Sequence, residues 1–234
     1  MGRAGSSVGR VDGQPGPVRR RAEEEALRAV GTRPQEVGRY LRAHSHLPGP
    51  RGNLELAHAF ADVAPDPLVD ALLDDEDEFV RFCAVLALGE RLSRGVDPAV
   101  EAQLRGHARD PRWRVREAVA TGLQRVGDRD PDRLHLLVRA WSHDPDPLVQ
   151  RAAAAAICEP RLLRSPAGAA TARHVCRSAT DALVALPTTR RRDSDARALR
   201  QALGYCWSVA VAADPSAGLP EFRMLEDTQD PDVA

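Results

Sequence analysis

The feature that most restricts the fold is an internal repeat of 34–35 residues. Val80, Val115 and Val149 share one register, and apolar or small residues follow each valine at offsets 3, 4, 7 and 8. These offsets form one apolar stripe along an α-helix. A helix with one apolar stripe needs neighbours to cover it, so the pattern predicts stacked helical units. The small residues at offset 7 are expected to let a neighbouring helix approach closely.

An aspartate precedes each valine by five residues, at Asp75, Asp110 and Asp144. Aspartate side chains accept hydrogen bonds from the free N–H groups of a helix N-terminus. The sequence therefore predicts that each aspartate caps the second helix of its unit. The residues eight and eleven positions before each valine are apolar except for His107, and this spacing predicts a first helix. Each unit is thus a helix, a short turn and a second helix.

The turns DEDEFVR, DPRWRVR and DPDPLVQR, which begin at these aspartates, resemble those of the HEAT-repeat family of α-solenoids. The resemblance implies an all-α, right-handed α-solenoid of about five helix pairs. It also implies a ladder in which an arginine of one repeat pairs with the turn aspartate of a neighbouring repeat. Arg81 and Arg116 take that role by resemblance, whereas the third unit has Gln150 there and Arg151 one place later.

The pattern divides the chain into four parts. The first is low in apolar periodicity and rich in glycine, which is typical of disorder. Three short helical patterns, three regular repeats and an irregular repeat with an insertion follow. The ranges are 1–17 for the tail, 18–64 for the N-terminal helical cap, 65–163 for the regular repeats and 164–234 for the irregular part.

The C-terminal pattern predicts a first helix at 219–228 and a turn at Asp230-Pro231. The next second-helix position would be residue 235, so we expect the chain to end in mid-repeat. An unpaired helix exposes an apolar stripe, and self-association through this end is therefore possible.

Composition supports helices and excludes several classes of protein. All 33 basic residues are arginine, and only 4% of residues are aromatic. A high-GC bacterial-like genome accounts for the arginine and alanine. The low content of β-branched and aromatic residues disfavours an all-β fold. The sequence contains no run of 18 apolar residues, so no membrane span is predicted. The cysteines, Cys83, Cys158, Cys176 and Cys206, form no close pair in sequence, which favours a reduced, cytoplasmic protein.

The sequence contains no spacing typical of a metal site, a phosphate-binding loop or a catalytic nucleophile. We therefore predict a non-enzyme with no catalytic residue, no cofactor and no metal. The predicted function is a scaffold or adaptor that binds a protein partner along the concave row of second helices. The candidate interaction surface is Arg81, Arg112, Trp113, Arg116, Trp141 and Arg151.

The alternative function is nucleic-acid binding. Residues 101–200 carry 19 arginines against 12 carboxylates, and Arg190, Arg191 and Arg192 lie in the insertion. A further resemblance is to HEAT-like alkylpurine DNA glycosylases, for which the matching residues would be Trp113, Trp141, Arg116 and Asp110. Trp141 shares its offset with Leu72 and His107, which favours a core position. An exposed tryptophan in a continuous basic groove would favour nucleic acid, whereas buried tryptophans and scattered arginines would favour a protein partner.

Overall fold

The structure, a computed structural model, describes residues 17–49 and 51–226. Every regular element in these ranges is helical, so the prediction of an all-α fold is confirmed. The expected tail before Pro17 and the turn at Asp230-Pro231 lie outside the described residues. The helices are α1 (Pro17–Val30), α2 (Pro34–Ala43), α3 (Leu54–Val63), α4 (Asp66–Leu72), α5 (Glu78–Ser93), α6 (Pro98–His107), α7 (Trp113–Arg129), α8 (Pro131–Trp141), α9 (Pro147–Ile157), α10 (Pro166–Ala185), α11 (Ser194–Ala213) and α12 (Pro215–Glu226).

The helices form two layers of a solenoid. From α1 to α11, each odd-numbered helix packs against the next odd-numbered helix. The even-numbered helices α6, α8 and α10 each pack against the two odd-numbered helices that flank them in sequence. The pairs α4–α5, α6–α7 and α8–α9 correspond to the three repeats in the sequence. We call α3, α5, α7, α9 and α11 the second-helix row.

The turn aspartates do not cap the second helices directly, so that expectation is wrong. The Oδ1 atoms of Asp75, Asp110 and Asp144 each accept from the backbone N–H two residues later, at 2.9 Å. The N-cap of each second helix lies at that later residue. Asp77 and Asp146 cap α5 and α9 with their side chains, whereas α7 has no side-chain cap. The aspartate thus closes the turn that leads into the helix.

A second hydrogen bond completes the same turn in all three repeats. The side chain one residue after the register valine donates to the backbone oxygen of the turn aspartate. The three bonds are Arg81 Nε to Asp75 O at 3.0 Å, Arg116 Nη1 to Asp110 O at 2.8 Å and Gln150 Nε2 to Asp144 O at 2.6 Å. Gln150 therefore preserves the turn geometry without the positive charge.

Helices α5 and α7 approach closely where two glycines meet. A Cβ atom placed on Gly89 would lie 2.2 Å from the Cα atom of Gly122. Gly122 is one of the small residues at offset 7, so the predicted close approach occurs there. A side chain at either glycine would have to push the two backbones apart.

The C-terminal helices follow the irregular part of the pattern. Helix α11 buries Leu199, Leu203, Cys206 and Trp207 at the expected offsets. Helix α12 begins four residues before the predicted start and packs against α11. The rings of Trp207 and Phe222 meet edge to face, with centroids 6.2 Å apart.

Replacing Gly89 with alanine tests the close approach of α5 and α7. We expect the free energy of unfolding to fall by about 3 kcal/mol, because the new Cβ forces the helices apart. Urea denaturation followed by circular dichroism measures the change. The matched control is Gly204→Ala, since Gly204 lies within α11 with no atom within 4 Å of a Cβ placed on it. That variant should gain up to about 1 kcal/mol from helix propensity, and a similar loss in both variants would contradict the steric explanation.

Replacing Asp144 with alanine tests the turn. The Asp144 side chain is 1% exposed and pairs with both Arg105 and Arg109. We expect a loss of about 2–3 kcal/mol in the free energy of unfolding, because the turn bond and both ion pairs disappear. The control Asp132→Ala removes a carboxylate whose side chain is 98% exposed. It should cost less than about 1 kcal/mol, and equal losses in the two variants would show that the buried turn is not the cause.

Candidate functional site

The structure divides the six predicted surface residues into buried, paired and accessible positions. Trp141 is 2% exposed, and its Nε1 donates to Glu101 Oε1 at 3.1 Å. The prediction that Trp141 contributes to an interaction surface is therefore wrong. Its offset is the one at which the first helix faces the core, and its indole N–H finds a partner there.

Arg81 and Arg112 both bind Asp110. Arg81 Nη1 lies 3.3 Å from Asp110 Oδ2, and this is the inter-repeat ladder contact that the resemblance implies. Arg112 contacts both carboxylate oxygens, Nε to Oδ1 at 2.8 Å and Nη2 to Oδ2 at 2.7 Å. Burial would raise the pKa of Asp110, but the hydrogen bonds and charge of Arg112 outweigh it, so this pKa is lowered. Asp110 is thus occupied by arginines of its own chain and does not provide a free acidic group.

At the next turn aspartate, Asp144, different arginines form the ion pairs. Asp144 pairs with Arg105, in the last turn of α6, and with Arg109, in the turn that follows α6. Arg116 instead donates to the carbonyl oxygens of Asp110 and Pro111, at 2.8 and 3.0 Å. The ladder role implied for Arg116 is therefore wrong, because other arginines already occupy the carboxylate.

Trp113 is the accessible member of the predicted set. It is 54% exposed at the start of α7, and the Arg114 guanidinium carbon lies 4.6 Å from the centroid of its ring. Glu117, one turn later, pairs with Arg151 of α9. The structure therefore brings Trp113, Glu117 and Arg151 to one region of the second-helix row.

A polar network covers α5 on the side of the row that faces away from the first helices. Arg125 of α7 reaches across α5 to α3, where its Nη1 lies 2.8 Å from Asp62 Oδ1 and its Nη2 lies 2.8 Å from His58 Nδ1. The same Nη1 lies 2.7 Å from Glu90 Oε2, and Arg129 also pairs with Glu90. These contacts close the row over α5, where Phe82, Leu86 and Ser93 are buried.

The row carries exposed side chains on α7 and on α11. Position 2 after the register residue is Phe82 in α5, Glu117 in α7, Arg151 in α9 and Gln201 in α11. Phe82 is 6% exposed, whereas the Glu117 side chain is 38% exposed and Gln201 is exposed. Tyr205, one turn after Gln201, is 63% exposed. We call Trp113, Glu117, Arg151, Gln201 and Tyr205 the open face.

Sequence reasoning did not find the network or the Glu117–Arg151 pair, although a signal for both exists. Glu90 and Arg125 are both ten residues after their register valines, and Glu117 and Arg151 are both two residues after theirs. Equal offsets in consecutive repeats place side chains next to each other. Opposite charges at equal offsets therefore predict ion pairs between repeats.

The arginines of the insertion are also engaged. Arg190 pairs with Asp193 and Asp195, and Arg191 donates from Nε to the backbone oxygen of Leu186 at 3.0 Å. These bonds hold two of the three arginines within their own loop. They do not supply the continuous basic groove that a nucleic-acid interface would use.

Three of the four cysteines converge in the core. The Sγ atoms of Cys158 and Cys176 are 3.7 Å apart, and Cys206 also contacts Cys158. All four cysteines are free and buried. The hydrogen bond to Cys176, together with burial, raises the pKa of Cys158, so its thiol stays protonated. Among the described residues, no group of three or more His, Cys, Asp or Glu side chains is arranged to hold a metal ion. In the same ranges, no helix has the length and apolar character needed to cross a membrane.

His58 makes the stability of the network depend on pH. Burial and the charges of Arg125 and Arg20 lower the pKa of His58 to about 4. The unfolded chain, in which the histidine pKa is about 6.5, takes up a proton first as the pH falls. Because the unfolded state then binds more protons, the protein loses stability between about pH 6.5 and pH 4.

Replacing His58 with glutamine tests this effect. We expect the native protein to lose about 2–3 kcal/mol more stability than His58→Gln between pH 7 and pH 4. Urea denaturation at the two pH values gives the comparison. The control is His143→Gln, since His143 is exposed, and it should keep the native pH dependence. Parallel pH profiles for the native protein and His58→Gln would contradict the role of His58.

A family model for HEAT repeats matches residues 65–158. Among solved structures, an engineered protein determined by a structural genomics consortium shares 16% sequence identity at a TM-score of 0.34. That alignment covers 90% of this chain, which spans 55% of the engineered protein. No curated protein matches the sequence. The family match confirms the resemblance found in the turns: residues 65–158 are HEAT repeats within an all-α chain.

Proposed function

We propose that this protein is a non-catalytic scaffold or adaptor that binds a protein partner on the open face. HEAT repeats generally act as surfaces for protein interaction, which supports the general class. The position of the surface is supported by the contrast along the second-helix row. The network of Arg125 closes the row over α5, whereas α7 and α11 present the exposed side chains of Trp113 and Tyr205. The proposal places the protein in the cytoplasm, where its four free thiols stay reduced.

The exposure of Trp113 and Tyr205 is the observation that carries the proposal. Only 4% of the chain is aromatic, and Phe60, Phe79, Phe82, Trp141 and Trp207 are buried. Trp113 and Tyr205 instead expose more than half of their surface on the open face. Tryptophan, tyrosine and arginine are the residue types that contribute most to protein interfaces. Because regular helices hold these side chains, binding requires little ordering of the scaffold.

The alternative, nucleic-acid binding, is favoured by one observation, the exposed Trp113 beside Arg114. A tryptophan face can stack a base. The pairing of Arg81 and Arg112 with Asp110 argues against a basic groove, and Arg114 pairs with Glu78 at 2.8 Å. Glycosylase chemistry has less support, because Asp110 is held by two arginines and Trp141 is buried.

The test is affinity capture with a double variant of the open face. Trp113→Ala with Tyr205→Ala should lower the affinity for the captured protein by at least about tenfold, because both exposed aromatic anchors are removed. Capture from the native lysate after nuclease treatment identifies the partner, and titration with the purified partner gives the affinity. The control is Leu136→Ala, since Leu136 is 71% exposed on α8, outside the second-helix row.

Equal binding by the double variant and the Leu136 control would contradict the proposed surface. A titration with single-stranded DNA at two salt concentrations tests the alternative. Tight DNA binding that weakens steeply with salt and is lost in the double variant would favour a nucleic-acid interface.

A further inference from the structure

We infer that Arg139, His143 and His174 form an anion-binding site that takes a terminal phosphate group, the dianion of inorganic phosphate and of phosphate monoesters. The three side chains lie on the neighbouring first helices α8 and α10 and in the turn that follows α8. This surface belongs to the layer of first helices, so the site is separate from the open face and goes beyond the proposed function.

Two contacts between α8 and α10 bring the three side chains together. The Nη2 of Arg139 donates to Thr171 Oγ1 at 3.3 Å. The rings of His143 and His174 lie against each other, with centroids 5.8 Å apart. Thr171 and His174 are three residues apart on α10 and therefore share one side of that helix. The Arg139 guanidinium thus lies within about one helical turn of the two imidazole rings.

No carboxylate in the described ranges neutralises Arg139. Its guanidinium makes one hydrogen bond there, to the uncharged hydroxyl of Thr171. The two aspartates that follow His143 in its turn already pair with Arg105 and Arg109 of the preceding repeat. The carboxylates closest in sequence to the site are therefore occupied by other arginines.

The other charged side chains on this part of α10 balance one another. Arg173 and Arg177 share the carboxylate of Glu221 on α12, and Arg173 also pairs with Asp214 at 2.8 Å. Two arginines thus face two carboxylates, and their charges cancel. The positive charge of Arg139 remains uncompensated.

The pKa of His174 agrees with this local excess of positive charge. Burial lowers this pKa first, and the charges of Arg139, His143 and Arg177 lower it further. Every charge that acts on the ring is therefore positive. A bound anion would relieve this repulsion.

The nitrogen atoms that would bind the anion reach solvent. The Nε and Nη1 of Arg139 and both ring nitrogens of His174 have no hydrogen-bond partner in the part of the chain that the structure describes. All four atoms keep solvent contact, since none of them is both buried and unpartnered. His143 is exposed, and its Nδ1 donates to the backbone oxygen of Arg139 at 2.8 Å, which leaves Nε2 for a ligand.

The combination of one guanidinium with two imidazoles selects a terminal phosphate. A carboxylate presents two oxygens in one plane, which the parallel N–H groups of a single guanidinium satisfy. A terminal phosphate has three oxygens and can contact the guanidinium and the imidazoles together. Its second pKa, about 6, is close to the ordinary histidine pKa of about 6.5, so one proton can be shared between phosphate and imidazole. A phosphate diester of nucleic acid has no such second proton.

The experiment titrates inorganic phosphate and O-phosphoserine into the full chain while NMR follows the ring protons of the seven histidines. Arg139→Gln and His174→Gln should each weaken binding of both probes by about tenfold, because each removes a charge-assisted hydrogen bond. Binding should also raise the pKa of His174, because the bound anion favours the protonated ring. The spectrum of His174→Gln identifies the signal of that ring.

Two matched controls separate the site from general surface effects. Arg39→Gln removes one charge from an exposed position on α2. His44→Gln is matched to His143→Gln, since the Nδ1 of His44 also lies 2.8 Å from the backbone oxygen four residues earlier. Both controls should bind phosphate as the native protein does, whereas His143→Gln should bind it several-fold more weakly. Circular dichroism and thermal unfolding establish that each variant is folded.

Several results would overturn the inference. Equal losses in Arg139→Gln and Arg39→Gln would reduce the effect to general charge attraction. Acetate that binds as tightly as phosphate would show that the site does not select a terminal phosphate. An unchanged His174 signal at millimolar phosphate, or displacement of phosphate by single-stranded DNA at a lower nucleotide concentration than by phosphoserine, would exclude the site as inferred.

The order of the two probes identifies the source of the ligand. Tighter binding of phosphoserine than of inorganic phosphate would support the site and assign it to a phosphorylated protein side chain. Binding of inorganic phosphate that is at least as tight would support the site and assign it to free phosphate.

Discussion

The contact between Gly89 and Gly122 is the constraint on which the centre of the molecule depends. Because neither residue has a side chain, the backbones of α5 and α7 approach more closely than ordinary helices do. Three residues after Gly122, Arg125 of α7 reaches past α5 to His58 and Asp62 on α3. The same packing buries Phe82 and Leu86. The network that covers α5 therefore begins within one helical turn of the closest approach between α5 and α7.

Periodicity alone was sufficient to predict the helices, their pairing and the turns. The register of Val80, Val115 and Val149 depends on burial, and burial is strongly encoded in apolar spacing. The predicted N-caps at Asp75, Asp110 and Asp144 were wrong, since each helix has its N-cap two residues later. A turn and an N-cap both use an aspartate followed by free N–H groups. Spacing cannot distinguish these two uses without the backbone path.

The candidate site was less predictable, since its side chains meet across repeats. Trp113 and Trp141 were both assigned to the surface, although the offset of Trp141 suits the core, and only Trp113 is exposed. The ladder step at Asp144 depends on whether Arg105 and Arg109 reach the carboxylate before Arg116 does. That competition depends on the angle between successive units. The predicted surface already contained Trp113 and Arg151, and the rule of equal offsets, which relates Glu117 to Arg151, would have added Glu117.

The turn that Gln150 closes has a wider consequence for how such an array changes over generations. The hydrogen bond to the Asp144 carbonyl requires an N–H group of the right reach and does not require a charge. Glutamine and arginine both supply that group, so a substitution can change the charge of one repeat while the backbone of its turn stays the same. An array built in this way can acquire a new binding preference unit by unit, with folding and recognition under separate selection.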